Sequence, residues 1–489
     1  MQVEFDTHDE KECRKKLSFL RKRSKIVEVV AAQDLIFALT RTGVCAVFSR
    51  GELSPAPTPT EAHQAWHANP AAYAATHQRL CFVNLCPDEV IRSLFYNKLN
   101  ESLVSVSVFR NDNFSSLKCR STQLEYIRRK NPDGGYPLFE SESLCWPGFV
   151  EFDDVNGKVL TYSAMDKAYK IWDLRNYRPL YTIKDDNIHE IKISPGIMLV
   201  IYHKQQLGDS IPLHIRSIET GEILKKFSHR VKNQHGGAQQ KIDFIEQVRS
   251  KILPFLPRPS FPAFTSPPHP PHVPLGIGDG LLITSGCGVY IAQFNEKLLI
   301  KQQDEDLQIL DIRTADHIRI PQTQFKTPSA FIFLYENQLF LTFRQNTVTV
   351  WNLCGDKITS FEDHELWHPD CNTNNIYITS KQDLIVSYCR GQSTDQAGNA
   401  SGPVHGTVNV SSIFSGKCLA KISPSDSPDD DRHLKALERI SAVFYNEEHN
   451  EIYTGNENGL LHIWSACRGT SKNVASGSQA AGDPRVAGI

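Results

Sequence analysis

The sequence contains no uninterrupted apolar run of the roughly 18 residues that a transmembrane helix requires, and its longest candidate, residues 281–294, is broken by glycines. The N-terminus is charged between residues 4 and 12 and lacks the apolar segment of a secretory signal peptide. The twelve cysteines include no Cys-x-x-Cys pair. We therefore expect an intracellular protein, cytoplasmic, nuclear or both, with reduced cysteines.

Charge of one sign is also lacking, because 53 Lys and Arg residues nearly balance 55 Asp and Glu residues. No overall field therefore favours nucleic acid, a membrane surface or acidic ligands. Gly-x-Ser-x-Gly, P-loop and dinucleotide-binding motifs are absent from the sequence. Acid pairs such as Asp153 and Asp154 are neighbours in sequence, which gives no reason to expect facing carboxylates. We predict no catalytic residue, no cofactor and no metal site.

What the sequence does contain is a repeat. Four segments share an apolar strand that ends in a polar residue: KIWDL at 170–174, TVWNL at 349–353, HIWSA at 462–466 and the weaker QILDI at 308–312. In three of them a phenylalanine lies nineteen residues before the strand centre: Phe152, Phe331 and Phe444. This spacing is typical of the four-stranded blade of a β-propeller. Counting strand triplets predicts an all-β fold of eight blades, while seven stays open if the second or fourth repeat is not independent.

The chain divides into a basic arm at 1–25, a propeller at 26–465 and a tail at 466–489 that we expect to be disordered. Polar, Pro-rich or Gly-rich insertions are predicted at 52–79, 248–293, 391–406 and 423–438. Residues 2–6 alternate as a strand does and could complete the final blade. In the second repeat the third strand is predicted over 118–127.

Residues 11–25 hold eight Lys or Arg, which indicates a solvated arm or a nuclear localisation signal.

The fifth repeat is interrupted. It opens with KIDFIEQ at 241–247 and resumes at Phe294, and removing the 46 residues between them places Phe244 nineteen residues before Ile309. The removed segment is proline-dense, and its first and last codons can match the sequences at intron edges. We therefore hypothesise that 248–293 is a retained intron or a gene-prediction error, with a genuine surface loop as the alternative.

With these residues assembled, the chain resembles WD40-repeat, transducin-like propeller proteins. It is more closely similar to a plant family of such proteins without an assigned biochemical role, through blocks such as VIRSLFYNK, LFESESLCWPGFVEFDD and SFEDHELWHPDCNTNNIYIT. The general WD40 signature is weaker than this similarity, because its Trp-Asp dipeptide is present only at Trp172 and Asp173. The resemblance implies a scaffold that displays partner-binding surfaces without catalysis.

Two candidate sites stand out. Residues 363–375 are densely polar, and Asp363, His364, Trp367, His368 and Asp370 are candidates for contacting a partner. The alternatives are an ordinary loop between blades, in which the tryptophan packs and the polar groups cap turns, and a metal site, for which the ligand spacing is not typical.

The second candidate is Arg175 in WDLR, which matches the WDxR pattern of propellers that resemble substrate receptors of cullin-4 ubiquitin ligases. The alternative is structural. Trp172 is then expected to pack between blades, with Asp173 ending its strand and Ser163 and Asp166 hydrogen-bonded around it. Trp351 and Trp464 are assigned the same structural role.

We predict a monomeric, non-catalytic propeller scaffold that binds protein partners, with neither a membrane nor nucleic acid expected among them. The alternatives are a ubiquitin-ligase receptor that uses Arg175 and, from another class, a propeller hydrolase. The hydrolase would require carboxylates clustered in the central channel. Partner identity does not follow from the sequence.

Overall fold

A computed structural model describes residues 3–8, 23–50, 78–142, 144–145, 149–163, 165–203, 210–230, 244–245, 289–294, 296–302, 305–314, 316–326, 328, 330–344, 347–361, 366, 375–390, 405–426 and 430–465. Within them lie eight antiparallel sheets, each with its strands in sequence order except where the N-terminal strand completes the last one. The predicted all-β propeller of eight blades is thereby confirmed.

The first four blades are built as follows. Blade 1 contains β2 (Ile26–Ala32), β3 (Leu35–Thr40), β4 (Cys45–Ser49) and β5 (Gln78–Phe82), and blade 2 contains β6 (Glu89–Asn97), β7 (Ser102–Phe109), β8 (Leu117–Gln123) and β9 (Tyr136–Leu138). Blade 3 contains β10 (Phe149–Asp153), β11 (Lys158–Ser163), β12 (Ala168–Asp173) and β13 (Pro179–Lys184), and blade 4 contains β14 (Ile188–Ser194), β15 (Ile197–Tyr202), β16 (Ser210–Ser217) and β17 (Ile223–Arg230), with β18 (Phe244–Ile245) as a fifth strand.

The remaining blades follow the same plan. Blade 5 contains β19 (Val289–Phe294), β20 (Lys297–Gln302), β21 (Leu307–Asp311) and β22 (His317–Ile320), and blade 6 contains β23 (Ala330–Leu334), β24 (Leu339–Arg344), β25 (Thr347–Asn352) and β26 (Lys357–Ser360). Blade 7 contains β27 (Ile376–Ile378), β28 (Leu384–Arg390), β29 (Gly406–Ser412) and β30 (Cys418–Ile422), and blade 8 contains β31 (Ile440–Asn446), β32 (Glu451–Asn456), β33 (Leu460–Ser465) and β1 (Val3–Asp6). The four strands of a blade are called A to D from the ring axis outward.

The blades form a closed ring because β1 pairs antiparallel with β33, in a register that places Val3 opposite Ile463. This confirms the prediction that the N-terminus supplies the missing outer strand of the final blade. Eight separate apolar clusters lie in the eight junctions between successive blades, including the junction of blade 8 with blade 1. Strands such as β3 and β15 are buried at every residue, because a neighbouring blade covers each face of their sheet.

Two short α-helices interrupt the β pattern in the described part of the chain. Residues 118–127 were predicted as one strand, but β8 ends at Gln123 and helix α1 spans Leu124–Arg128, so the second half of that prediction is wrong. The Leu124 and Ile127 side chains, three apart, both enter the junction of blades 1 and 2, which a helical turn allows and a strand does not. Helix α2 spans Asp431–Ala436 inside the segment 423–438, and 3-10 turns lie at Pro132–Gly134 and Pro424–Asp426.

Blade 5 differs from its prediction. Residues 241–247 were expected to provide its innermost strand, but that strand is β19, and Phe244 and Ile245 instead pair with β17 at the outer edge of blade 4. The reason is visible in the sequence, because Tyr290 also lies nineteen residues before Ile309. Ile291, next to it, is fully buried in the junction of blades 4 and 5. The hypothesis that 248–293 is a retained intron stays a prediction.

Three tryptophans are held in the same way. The indole N–H of Trp172 donates to the Thr161 hydroxyl over 2.8 Å, and Trp351 and Trp464 make the same bond to Thr342 and Thr454 over 2.9 and 2.8 Å. Each tryptophan lies on strand C and each threonine on strand B of one blade. The repeat therefore encodes a buried hydrogen bond as well as an apolar contact.

Replacing Thr454 with Val should lower the free energy of unfolding by about 1–3 kcal/mol, since the buried Trp464 N–H loses its acceptor. Equilibrium urea denaturation measures the loss. Thr407→Val is the matched control, because the buried Thr407 hydroxyl has no hydrogen-bond partner among the described residues, and we expect no loss of stability there. Equal losses in the two variants would contradict a specific role for the indole bond.

A chain without residues 248–293 should form the same ring, since joining Gln247 to Phe294 puts Ile245 and Gln247 at the positions that Ile291 and Gln293 occupy. The measurements are soluble yield and the urea midpoint. A chain without 241–293 is the control, because it lacks both candidate strands and should be insoluble. If the two deletions behave alike, 241–247 does not replace β19. Transcript reads that join the codons of Gln247 and Phe294 would show that the shorter chain is made.

Candidate functional surface

The turns between strands C and D share one construction in five blades. The residue at the start of each turn accepts hydrogen bonds from backbone N–H groups two to four residues later: Asp173, Ser217, Asp311, Asn352 and Ser412. For Asp173 the donor is the Arg175 N–H at 2.7 Å. Asp, Asn and Ser all provide a suitable acceptor. The position therefore requires an acceptor and not an aspartate, and this explains why Trp-Asp becomes Trp-Asn in blade 6.

The next two positions in these turns have opposite environments. The first is a buried aliphatic side chain: Leu174, Ile218, Ile312, Leu353 and Ile413. The second is exposed and differs in chemistry from blade to blade: Arg175, Glu219, Arg313, Cys354 and Phe414. The capping residue and the buried aliphatic residue fix the shape of each turn. The exposed residue that follows them presents its side chain to solvent at an equivalent place in each of these blades.

Arg175 is therefore one member of a set of equivalent surface positions. Its side chain is exposed and forms no ion pair within the described part of the chain. Arg313 occupies the same position in blade 5 but contacts the Glu296 carboxylate. Of these two equivalent arginines, Arg175 is the one whose guanidinium is available to a partner.

The other residues predicted to have a structural role lie in one hydrogen-bonded pair and in three junctions between blades. The Ser163 hydroxyl donates to the Asp166 carboxylate over 3.4 Å, and Trp172 is buried in the junction of blades 2 and 3. Trp351 is buried between blades 5 and 6, and Trp464 between blades 7 and 8.

Three rings that were not predicted from the sequence cover the tryptophans. Phe139 lies against Trp172 with ring centroids 4.8 Å apart, Phe325 lies 5.0 Å from Trp351, and His433 lies 5.5 Å from Trp464. Each ring comes from the connection that precedes the blade of its tryptophan. His433 lies in helix α2, and its imidazole is also 2.8 Å from the Ser423 carbonyl oxygen just after the end of β30, so this contact fixes the orientation of the ring.

The polar segment 363–375 connects β26 of blade 6 to β27 of blade 7. Asp363, His364, Trp367, His368 and Asp370 lie outside the described residues, so their proposed contact with a partner stays a prediction. The two described residues of the segment, Leu366 and Asn375, are both buried, and Leu366 belongs to the apolar junction of blades 6 and 7.

Only the last part of the basic run 11–25 is described. The Arg23 guanidinium lies 2.6 Å from the Asp6 carboxylate and the Lys25 ammonium lies 3.6 Å from Glu457. Both acids belong to blade 8, so this end of the run is attached to the blade that closes the ring. Nuclear delivery by the run stays a prediction.

The innermost strands of blades 3 and 4 bring ionisable side chains together beside the central channel. The Glu151 carboxyl keeps contact with solvent, yet burial by the surrounding protein raises its pKa to about 7, and the nearby charges of Asp153 and Glu190 act in the same direction. Burial also raises the pKa of Asp153 to about 6. The pKa of Glu190 is raised as well, while that of Lys192 is lowered, both mainly by burial.

Two of these carboxylates already have structural partners. Asp153 accepts hydrogen bonds from the Val155 and Asn156 backbone and from the Asn156 side chain, and Glu190 lies 3.8 Å from the Lys192 ammonium. General acid and base catalysis requires two available groups. In the described part of this cluster only Glu151 is free of such a partner, so the hydrolase alternative gains little support.

The described residues contain no group of three or more His, Cys, Asp or Glu side chains placed to hold a metal ion. Nor does any helix in the described ranges have the length and apolar character needed to cross a membrane.

Replacing Glu151 with Gln should change the free energy of unfolding little near pH 5 and raise it near pH 8. The folded protein keeps the Glu151 proton up to about pH 7, whereas the unfolded chain loses it near pH 4.5. Wild-type stability therefore falls as the pH rises through this window, and the glutamine variant lacks that loss. Urea denaturation at both pH values measures the difference. Glu140→Gln, at an exposed position, is the control, and a Glu151→Gln effect independent of pH would contradict the prediction.

Comparison with known proteins places the chain in a family while leaving its activity open. No curated protein matches it. Solved structures with a similar backbone include the computationally designed Ika8 protein, which is 13% identical and aligns over 91% of this chain and 97% of its own, with a TM-score of 0.46. Sqt1 from Saccharomyces cerevisiae is 7% identical and aligns over 95% of this chain and 98% of its own, with a TM-score of 0.44. The C-terminal WD40 domain of Sif2 is 9% identical and aligns over 90% of this chain and 96% of its own, with a TM-score of 0.44. The eight-bladed architecture rests on the sheet order and not on these likenesses.

A family model does match most of the chain, over residues 68–254 and 288–464. The gap between the two matched parts, 255–287, lies inside the segment 248–293. The matched residues make up about three quarters of the sequence. The chain therefore belongs to the family described as Domain of unknown function (DUF7899).

Proposed function

We propose that this protein is a non-catalytic scaffold that binds partner proteins through the exposed turns of its ring. The observation that carries the proposal is the set of equivalent C–D turns. Their caps and buried aliphatic residues are alike, while the exposed position is Arg, Glu, Arg, Cys or Phe according to the blade. The residues that stabilise the turns are alike, whereas the exposed residue differs between blades. This difference is expected if the exposed residues contact partners selectively, and it is not needed for stability.

The frame supports binding because the turns are fixed before a partner arrives. In blade 7 the Ser412 N–H donates to the Lys417 carbonyl oxygen over 2.9 Å, and the Ile413 N–H donates to the Asp383 carbonyl oxygen of the A–B turn over 2.9 Å. Blade 3 repeats this arrangement, with the Leu174 N–H donating to Gly157 over 2.9 Å. A surface ordered in the free protein loses little conformational entropy on binding, which favours affinity.

A second candidate function is that of a substrate receptor for a cullin-4 ubiquitin ligase. The observation that favours it is Arg175, which follows Trp172 and Asp173 in the WDxR pattern and is exposed without an ion pair among the described residues. Guanidinium groups in such a position can bind carboxylates or backbone oxygens of a partner. This candidate is a special case of the scaffold, with the ligase adaptor as one partner.

One experiment tests both candidates. The full chain, its Arg175→Ala variant and its Arg313→Ala variant are used for affinity purification from native tissue at equal soluble yield, with an unrelated propeller as the background control. We expect the wild type to recover a reproducible set of partner proteins. If the ligase candidate is correct, Arg175→Ala loses the adaptor and Arg313→Ala keeps it, because Arg313 already contacts Glu296.

The outcomes separate the two candidates. Recovery of the adaptor by Arg175→Ala at the wild-type level would rule out the ligase role and leave the scaffold intact. A wild-type chain that enriches no protein above the unrelated propeller would contradict the scaffold itself.

A further inference from the structure

Blades 6 and 7 present three large apolar side chains to solvent. Ile358, Phe414 and Leu419 are 45%, 51% and 62% exposed. Ile358 in β26 and Leu419 in β30 occupy equivalent positions, since the pairing of each outer strand skips that residue. Isolated exposed apolar residues are common on proteins, so the question is whether these three form one surface.

The packing of the blade 7 turn against blade 6 brings the segments of Phe414 and Ile358 together, and Leu419 follows Phe414 by five residues in the hairpin of strands C and D of blade 7. The Thr359 hydroxyl donates to the Ser415 carbonyl oxygen over 3.1 Å. Thr359 follows Ile358 in the sequence, and Ser415 follows Phe414. Gly416 has a φ of +69°, and a Cβ atom there would lie 2.5 Å from the Ser360 carbonyl oxygen. Only glycine permits this close approach. The turn that carries Phe414 therefore lies directly on β26.

The fold does not require an aromatic ring at position 414. The turn is capped by Ser412 and anchored by the fully buried Ile413. At the equivalent place in blade 4 the residue is Glu219, whose carboxylate lies 3.0 Å from the Lys158 ammonium. Where blade 4 has a charged residue, blade 7 therefore has Phe414, whose ring is half exposed.

Lysines surround this apolar surface. Lys357 precedes Ile358, Lys417 ends the turn of Phe414, and Lys421 lies two residues beyond Leu419, and all three are exposed. None of them forms an ion pair within the described ranges. The nearby Asp356 carboxylate accepts a hydrogen bond from the Asn352 side chain over 3.0 Å. The surface is therefore apolar and positively charged, and complements a segment that is apolar and acidic.

The edge of β30 offers a backbone for pairing. It is the outermost strand of its sheet among the described residues. In blade 4 the corresponding strand β17 carries β18, with Phe227 opposite Phe244 and Lys226 opposite Ile245. The ring thus already shows an outer strand that has accepted a fifth strand, which is how extended peptides bind exposed sheet edges.

We propose that the blade 6–7 surface, formed by Lys357, Ile358, Phe414, Lys417, Leu419 and Lys421, binds an extended acidic segment of a partner protein as a fifth strand on β30. Apolar side chains of that segment contact Phe414 and Leu419, and its carboxylates pair with Lys417 and Lys421. This inference rests on the scaffold function proposed above and names the surface and the partner chemistry.

The test uses fluorescein-labelled ten-residue peptides and the full chain. One peptide alternates Glu with Val and carries a central Phe; a second has Lys in place of Glu; a third has Pro at two positions that would pair with β30. The protein variants are Phe414→Ser/Leu419→Ser and the matched control Leu180→Ser/Ile223→Ser, which removes two exposed apolar side chains from blades 3 and 4. Fluorescence anisotropy reports binding.

We expect saturable binding of the acidic peptide alone, weakened at least about tenfold by Phe414→Ser/Leu419→Ser and by less than about twofold in the control. Equal binding of the basic or proline peptide, or equal loss in both variants, would overturn the proposal. So would a wild-type dimer that Phe414→Ser/Leu419→Ser converts to a monomer, because the occupant would then be a second copy. If native partners are recovered equally by both variants, this surface is not the binding site although the scaffold function stands.

Discussion

Closure of the ring by β1 is the interaction on which the rest of the structure depends. Residues 3–6, near one end of the chain, pair with 460–463, near the other. The Thr7 hydroxyl donates to the Gly459 carbonyl oxygen over 2.7 Å, and the centroid of the Phe5 ring lies 4.7 Å from that of Phe48 in blade 1. Every blade is apolar on both faces and relies on two neighbours to cover it. Without β1, blade 8 would lose its outer strand, and the junction with blade 1 would lose Phe5. The stability of each junction is therefore tied to pairing between the two ends of the chain.

Within the closed ring, side chains fix the turns and join neighbouring blades. The Asn156 amide donates to the Ser194 carbonyl oxygen over 3.1 Å and accepts from the Gly196 N–H over 2.8 Å, which links blades 3 and 4. The Glu447 carboxylate accepts from the Ser380 N–H and hydroxyl over 2.8 and 2.6 Å, which links blades 7 and 8. These contacts lie at A–B turns, on the same side of the ring as the C–D turns. The exposed positions of the C–D turns thus lie on a face where turns of neighbouring blades are hydrogen-bonded to one another.

The repeat was predictable because its chemistry recurs at fixed spacing. The tryptophan strands and the inner phenylalanines Phe152, Phe331 and Phe444 follow from the sequence, and so does the closing strand. Blade 5 was not predictable, because Tyr290 has the nineteen-residue spacing in the full chain and Phe244 has it once 248–293 is removed. Only the pairing of β19 with β20 distinguishes the two. The helix α1 was missed because two buried residues, three apart, are too short a pattern to indicate a helix. The rings that cover the tryptophans, Phe139, Phe325 and His433, lie in connections of unequal length, so no constant spacing marks them.

The candidate surface shows the limit of repeat analysis in another way. Arg175 was found because WDLR is a recognisable pattern, but its availability depends on the absence of a partner such as the Glu296 that contacts Arg313. Phe414 has no motif around it. It becomes comparable with Arg175 only when the turns are aligned on their capping residues, Ser412 and Asp173, and this alignment requires the hydrogen bonds. A repeat is detected through the positions that stay constant, and these are the positions that maintain the fold. Under the proposed function, selective binding uses positions that differ between blades, and a search for repeats does not detect such positions.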